Sequence, residues 1–339
     1  MKFTTTIATL VSAALASEHC AECDTCAASE CHDTHVHAPA PIGVMGAHTH
    51  EQGSWMFSYR LMTMQMEDLL QGSNEVSGMG MYPQDMTMNM HMIGTMYAVT
   101  DKLTIMAMAN YLDSEMTMRM MMNEIEMSTS GWGDVRLAGL YQINPNWIGS
   151  LGLSLPTGSI TESFINPMNG NDTRAGYNMQ LGSGSYEFRP ALTYLWNQGA
   201  FSGGAQARWV SRLNDNEEDY HRGEESQIQT WVSYQATEAI NLSLRLSYLD
   251  QEGVEGSDAT LNSQNMMMEM MNPGSTTQAI SNAANTGRKR TDLGVGARYE
   301  LPKSIGALHL EYLTPLQEEV NGVQLGTGDS WVFGYTKSW

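Results

Sequence analysis

The stretch that decides the fold runs from Asp85 to Leu112, DMTMNMHMIGTMYAVTDKLTIMAMANYL. A polar turn at 100–102 separates two runs in which methionine recurs at even positions: Met86, Met88, Met90, Met92, Met96, Met106 and Met108. A spacing of two is the period of a β-strand, whose successive side chains point to opposite faces. A helix would place apolar residues three and four apart. The stretch therefore predicts a hairpin with a methionine face and an aliphatic and aromatic face.

Composition limits the classes of function. The chain has 339 residues and a net charge of −20, which argues against nucleic acid and favours cationic or neutral partners. Of its 28 methionines, 20 lie between Met45 and Met127. Two explanations remain open, because methionine is an adaptable apolar side chain and also a soft ligand that selects Cu(I)-like ions.

The two-residue alternation continues to the end of the chain. It predicts twelve strands, at 55–66, 86–99, 103–112, 131–143, 147–155, 185–196, 200–211, 226–236, 239–249, 291–301, 306–314 and 330–339. Short links alternate with long ones at 67–85, 113–130, 156–184, 212–225, 250–290 and 315–329. Apolar and polar faces, aromatic residues near strand ends and alternating link lengths are typical of outer-membrane barrels. We predict an all-β fold, a transmembrane antiparallel up-and-down β-barrel of about twelve strands with long external loops, over residues 55–339.

The first 54 residues lack this alternation. Residues 1–16 have one lysine, an apolar run and small residues near Ala16, which predicts a signal peptide and export to the cell outer membrane. The aromatic last residue, Trp339, resembles the signal read by the barrel-assembly machinery, although Lys337 departs from it. Residues 17–54 are predicted to form a disordered periplasmic tail.

The tail holds all four cysteines and six of the nine histidines. One interpretation is two disulfides, which an even cysteine count permits. The other is metal capture, because the spacing C-x2-C-x2-C-x4-C-H brings soft donors together. The candidate ligands in the tail are Cys20, Cys23, Cys26, Cys31, His32, His35, His37, His48 and His50.

Parity predicts which face of the barrel carries the methionines. They share even positions with Arg60, and an arginine facing mid-bilayer lipid would cost about 2–4 kcal/mol. The methionine face is therefore predicted to line the lumen, with Arg60, Arg136, Arg189, Arg208, Arg245 and Arg298. These arginines are interpreted as a salt-bridged filling or as a selectivity filter. The candidate metal ligands of the barrel are Met62, Met64, Met86, Met88, Met90, Met92, Met106, Met108, Met118, Met120 and Met122.

Several local runs resemble a known family. They are Leu155-Pro156-Thr157-Gly158, Leu181–Tyr186, the stretch His37–Met64 and the Met-x-Met-His-Met run at Met88–Met92. The chain is similar over about 40–339 to the outer-membrane transporter family named for the MetA pathway of phenol degradation, in its methionine-rich branch. The resemblance implies a barrel and transport, and its motifs contain no catalytic residues.

Together these patterns predict a barrel that binds or passes a soft, copper-like metal ion, Cu(I) or Ag(I), without catalysis. The alternative is a passive pore for small hydrophobic or aromatic solutes, in which the methionines form an apolar wall. A third reading is a non-conducting surface protein that binds a partner through its loops. The expected partners are outer-membrane lipid, the barrel-assembly machinery and either a metal ion or a small solute.

Overall fold

The computed structural model describes residues 40–120, 123–166, 170–271, 273, 280–302 and 305–339. The chain divides into two compact units, Met1–Val36 and His37–Trp339, and the description concerns the second. The predicted signal peptide, the four cysteines, His32, His35 and His37 lie outside the described residues, as does Met122.

The described residues form β-strands almost throughout, with one α-helix, α1 (Ala259–Met271), and two short 3-10 helices at Tyr177–Met179 and Ala283–Asn285. The strands are β1 Trp55–Gly72, β2 Asn74–Glu75, β3 Met81–Thr100, β4 Leu103–Met120, β5 Asn123–Trp132, β6 Val135–Asn144, β7 Trp147–Leu155, β8 Ser163–Ile165, β9 Asp172–Arg174, β10 Glu187–Gln198, β11 Phe201–Arg212, β12 Tyr220–His221, β13 Glu225–Gln235, β14 Ile240–Gln251, β15 Glu255–Gly256, β16 Arg288–Glu300 and β17 Ala307–Ser338. No helix in the described residues is long and apolar enough to cross a membrane.

The main sheet closes on itself. Its order is β17-β16-β14-β13-β11-β10-β7-β6-β4-β3-β1, and β17 also pairs with β1. The 32-residue β17 is a hairpin, because Ala307–Val320 pair with β16 and Val320–Ser338 pair with β1. The reversal falls at Gly322, whose φ of 62° suits glycine. Ten single strands and two arms of β17 give twelve passes, so the predicted antiparallel barrel is confirmed.

The two faces of the wall have the predicted characters. Outward side chains such as Leu151, Leu192 and Leu244 are exposed and apolar, whereas inward ones such as Thr193, Gln229 and Arg245 are polar and buried. Aromatic pairs border the apolar band near the short turns, as in Trp55–Tyr97, Trp147–Tyr194 and Phe201–Tyr234. Apolar groups outside and polar groups inside are what a barrel in lipid requires. The predicted lumen parity of the arginine and methionine face is therefore correct.

The wall is taller on one side than the sequence predicts. Residues 67–72, 81–85, 113–120 and 123–130 belong to strands, although they were predicted as loops, and so does 315–329 within β17. The outward positions there are polar, for example Glu67, Asp85 and Asp113. These strands rise above the apolar band into water, where an outer face needs no apolar side chains. The lost alternation thus marked the edge of the lipid band and not the end of the strands.

Residues 40–50 lie against the inner face of the barrel. Val44 and Ala47 are buried and pack with inward side chains from several strands, namely Met56, Met96, Leu140, Ile148, Leu195 and Trp231. Gly43 N donates to Glu311 Oε2 at 2.9 Å, and Gln206 Nε2 donates to the Met45 carbonyl at 2.8 Å. The predicted boundary at residue 54 assigned this segment to the tail, whereas here it occupies the lumen. We call residues 40–50 the lumen segment.

Candidate functional site

The largest apolar cluster among the described residues lies inside the barrel at the end opposite the short turns, which we call the loop end. Its buried members come from five strands and from the connection after β7, and nearly all are apolar: Met66, Leu69, Met81, Met86, Met116, Met118, Ile125, Met127, Ala175, Met179 and Leu325. Met64, Met88, Phe164 and Met268 pack against them. We call this set the outer methionine cluster. A cavity of about 60 Å³ opens beside it, lined by Met81, Met118, Met127, Phe164 and Met268 together with polar groups such as Arg174 and Asn265.

The strand that pairs with β4 changes next to this cluster. β4 pairs with β6 up to Met108, and from Tyr111 onward it pairs with β5 instead. Among the described residues, β5 pairs in the main sheet with β4 alone. Because β5 and β6 are separated only by Gly133 and Asp134, they form one strand with a break, and the sheet beyond that break is open along one edge of β5. We call this point the wall break.

Asp134 joins the two motifs of the resemblance at the wall break. Its Oδ1 accepts from Gly158 N at 2.9 Å, and its Oδ2 accepts from the backbone N and the Oγ of Ser183, both at 2.8 Å. The carboxylate is 7% exposed. Gly158 ends the first motif and Ser183 lies in the second, so both motifs serve to fix the 156–186 connection to one buried carboxylate.

Glycine is required where these motifs touch. A Cβ on Gly182 would overlap the Gly158 carbonyl oxygen and would lie 2.7 Å from Asp134 Oδ1. We expect Gly182→Ala to destabilise the barrel by about 1–3 kcal/mol, since backbone atoms must move to admit the methyl group. The temperature at which the folded form unfolds on heating in detergent measures this. Gly139→Ala is the control, because its Cβ would meet nothing within 4 Å; equal effects of the two changes would contradict the packing argument.

The long connections cover the loop end and are tied together by charges. Arg174 pairs with Asp258 at 2.7 Å and with Glu218 at 3.3 Å. Asp258 Oδ1 also accepts from Thr260 N and Leu261 N at the start of α1. Burial raises the pKa values of Tyr177 and Tyr220, whose rings meet edge to face beneath these connections. The cover is therefore a packed layer that shields the outer methionine cluster from water.

Below the cluster, a polar network closes the lumen. Arg245 Nε lies 2.7 Å from Glu311 Oε1, and Arg245 Nη1 donates to Gln229 Oε1 at 3.0 Å. Gln229 in turn donates to Gln206 at 2.7 Å. Because Glu311 and Gln206 also hold Gly43 and Met45, the network holds the lumen segment across the barrel.

The predicted methionine ligands are only partly gathered. On the inner face, β1 and β3 pair side by side, with Arg60 opposite Met92, Met62 opposite Met90 and Met64 opposite Met88. The outer methionine cluster contains Met64, Met86, Met88 and Met118 of the predicted set. Met106 and Met108 line a different cavity, nearer the short turns, and Met120 is the last residue of β4. The wall therefore divides the predicted thioethers between two regions.

The two described histidine candidates, His48 and His50, belong to the lumen segment. His48 Nε2 lies 3.4 Å from Met56 Sδ, and its ring meets that of His50 edge to face. Burial lowers the pKa of the His48 imidazole to about 3, and positive charge on His50 and Arg60 acts in the same direction. Within the described ranges, no group of three or more His, Cys, Asp or Glu side chains is arranged to hold a metal ion.

Several residues of the site were not among the predicted ones. Met66, Met81, Met116, Met127 and Met179 all belong to the cluster. Met66 and Met116 continue the even-numbered series of their strands, so extending the alternation outward would have found them. Met179 and Asp134 lie outside any periodic run, and only the fold brings them to the site.

This fold is that of an outer-membrane β-barrel. The fold is similar to that of an outer membrane channel from Pseudomonas putida F1, with a TM-score of 0.61 and 15% sequence identity over 88% of this chain and 100% of that one. The translocator domain of the autotransporter NalP from Neisseria meningitidis matches with a TM-score of 0.47 and 10% sequence identity, over 84% of this chain and 88% of that one. The Ralstonia pickettii toluene transporter TbuX matches with a TM-score of 0.42 and 11% sequence identity, over 85% of this chain and 90% of that one.

The chain belongs to the family described as "Putative MetA-pathway of phenol degradation", whose model matches residues 90–331. This confirms the resemblance drawn from the sequence. The match spans both motifs that meet at Asp134. No curated protein matches the chain.

Proposed function

We propose that this barrel is a passive route for small hydrophobic or aromatic solutes across the outer membrane, and that it is not an enzyme. The observation that carries the proposal is the outer methionine cluster with its cavity, placed beside the wall break. Binding sites for small ligands are concave and mostly apolar, with a few polar groups that orient the ligand. The cavity has this composition, since Arg174 and Asn265 lie among its apolar lining.

Methionine suits such a receiving site. Its unbranched side chain turns about three bonds and fills irregular space, so a small cavity lined by it can enlarge around different solutes. The lumen segment and the Arg245–Glu311 network occupy the lumen below, and the described residues leave no comparable apolar path there. A solute in the cluster therefore has its easiest exit sideways, through the edge of β5 that lacks a main-sheet partner.

A soft metal ion is the second candidate. The observation that favours it is the facing of thioethers across β1 and β3, where Met62 opposes Met90 and Met64 opposes Met88. Thioether ligands select Cu(I) over harder ions. An apolar wall and a metal path differ in what they require of the side chain, because leucine replaces the apolar volume of methionine and not its sulfur.

The test is a pair of double variants in the cavity. Met118→Leu with Met127→Leu keeps the wall apolar, and Met118→Gln with Met127→Gln keeps its shape but adds amides. We expect the leucine variant to take up radiolabelled naphthalene within about twofold of wild type. The glutamine variant should lose at least about fivefold, because each buried amide without a partner costs about 1–3 kcal/mol. The measurement is the initial rate of uptake by cells.

Met266→Gln with Met270→Gln is the matched control, since both methionines are exposed on α1. All variants are normalised to folded barrel in the outer-membrane fraction. Loss of uptake in the leucine variant would contradict the apolar wall, and silver titration of the same variant would then test the metal candidate. Unchanged uptake in the glutamine variant would remove the cluster from the route.

A further inference from the structure

A second cavity lies along β6, β7, β10 and β11, apart from the outer methionine cluster, and most of its lining belongs to the inner face of the wall. Its volume is about 80 Å³, and its lining includes Arg136, Arg189, Arg208, Gln206, Met45 and Met108. The three arginines have the inward parity of their strands. Three guanidinium groups thus border one small space inside a chain whose net charge is −20.

The charges around this cavity do not balance. Glu187 pairs with Arg189 at 2.6 Å and with Arg212 at 3.2 Å, and Glu225 pairs with Arg208 at 2.6 Å. Arg136 has Glu187, Glu225, Arg189 and Arg208 as charged neighbours, but among the described residues it forms no ion pair. Four guanidiniums therefore face two carboxylates, which leaves two positive charges in excess.

Several N–H donors of the group are also buried and without acceptors. They are Arg136 Nε, Arg208 Nε and Arg212 Nη1, for which the described residues provide no hydrogen-bond partner. Buried donors are rarely left unpaired in folded proteins, and a charge buried without a partner is strongly unfavourable. The cavity therefore lacks an acceptor that carries negative charge.

We propose that this cavity binds a small organic carboxylate, with the Arg136 guanidinium as its counter-ion. The planar fork of arginine donates two parallel hydrogen bonds to a carboxylate. Met45 and Met108 provide an apolar surface for the rest of the ligand, which phosphate or chloride would not use. The cavity is smaller than the roughly 150 Å³ that accommodates benzene, so the fitting anions have short carbon chains. None of these residues lines the cavity of the proposed hydrophobic route.

The test is saturation-transfer NMR on the detergent-solubilised full chain, with propionate as the probe and propionamide as its neutral analogue. We expect transfer to propionate and at least about tenfold weaker binding of propionamide, since hydrogen bonds to charged groups are the stronger ones. Arg136→Met keeps an unbranched apolar stem without the guanidinium and should remove the propionate signal. Arg60→Met is the matched control, because Arg60 is a second lumen arginine whose Nε lacks a partner, and it should leave the signal unchanged.

Folding of the Arg136→Met variant is itself informative. Removing an unpaired buried charge should leave the unfolding temperature without ligand at or above that of wild type, whereas a structural role for Arg136 would lower it. Arg136→Lys, which keeps the charge and loses the fork, should bind propionate at least about threefold more weakly. Equal signals from propionate and propionamide, or displacement of propionate by an equal concentration of chloride, would overturn the proposal.

Discussion

Glu311→Ala is expected to lower the stability of the barrel by about 3–5 kcal/mol, because it leaves the buried Arg245 without its counter-ion. Glu311 is 1% exposed and Arg245 is 5% exposed, so water does not replace the lost partner. The same change removes the acceptor of Gly43 N, one of the contacts that hold the lumen segment. Two effects should therefore appear together: unfolding at a lower temperature in detergent, and a larger single-channel conductance in planar bilayers.

A double variant separates the two effects. Arg245→Met with Glu311→Leu replaces the ion pair by apolar groups of similar length, which is often neutral for stability. It should unfold near the wild-type temperature and still conduct more than wild type, since the Gly43 contact stays absent. Asp329→Ala is a control carboxylate removal on the same hairpin, and it should change neither quantity. A destabilised Glu311→Ala barrel with wild-type conductance would show that the pair supports the wall without holding the lumen segment.

The two-residue alternation of apolar and polar side chains predicted the barrel, because a strand in contact with lipid needs apolar side chains on its outer face. Where a strand crosses the apolar band, outward residues such as Leu242 and Leu244 must be apolar, and the inward Arg245 must avoid lipid, so parity alone located the lumen. Above the apolar band, outward positions no longer need apolar side chains. Polar residues such as Glu67 and Asp113 occupy them, so these parts of the strands were predicted as loops. Strand structure there depends on pairing, as between Met86 and Met116, which a single sequence does not display.

The site was harder to predict than the wall. The methionines were identified as inward-facing, but their division into two regions depends on where the wall turns at Gly133 and Asp134. The lumen segment carries no period, and its contacts reach 268 residues along the chain, from Gly43 to Glu311. The ion pairs predicted for the lumen arginines are present for Arg189, Arg208, Arg245 and Arg298. Arg60 and Arg136 form no ion pair among the described residues, and Arg136 could be singled out only from the charged groups that the fold places around it.

Asp134→Ala should release the 156–186 connection from the wall break. The change removes both oxygens that accept from Gly158 N, Ser183 N and Ser183 Oγ, and leaves buried donors unpaired. Since hydrogen bonds to a charged group contribute about 1.5–3 kcal/mol each and act together here, we expect a loss of at least about 3 kcal/mol of local stability. That corresponds to about a hundredfold higher population of the released connection.

The rate of trypsin cleavage at Arg174 measures the population of the released connection. Arg174 lies in this connection with 14% of its side chain exposed, and Asp258 and Glu218 hold it. Cleavage at Arg174 should accelerate in proportion to release, while the strands stay intact. Asp134→Asn retains one carbonyl oxygen and should lie between wild type and alanine. Asp172→Ala, an exposed carboxylate in the same connection, should cleave at the wild-type rate. An unchanged cleavage rate in Asp134→Ala would mean that packing on the outer methionine cluster holds the connection. The two family motifs would then be held together by the backbone contact between Gly158 and Gly182, and not by the carboxylate between them.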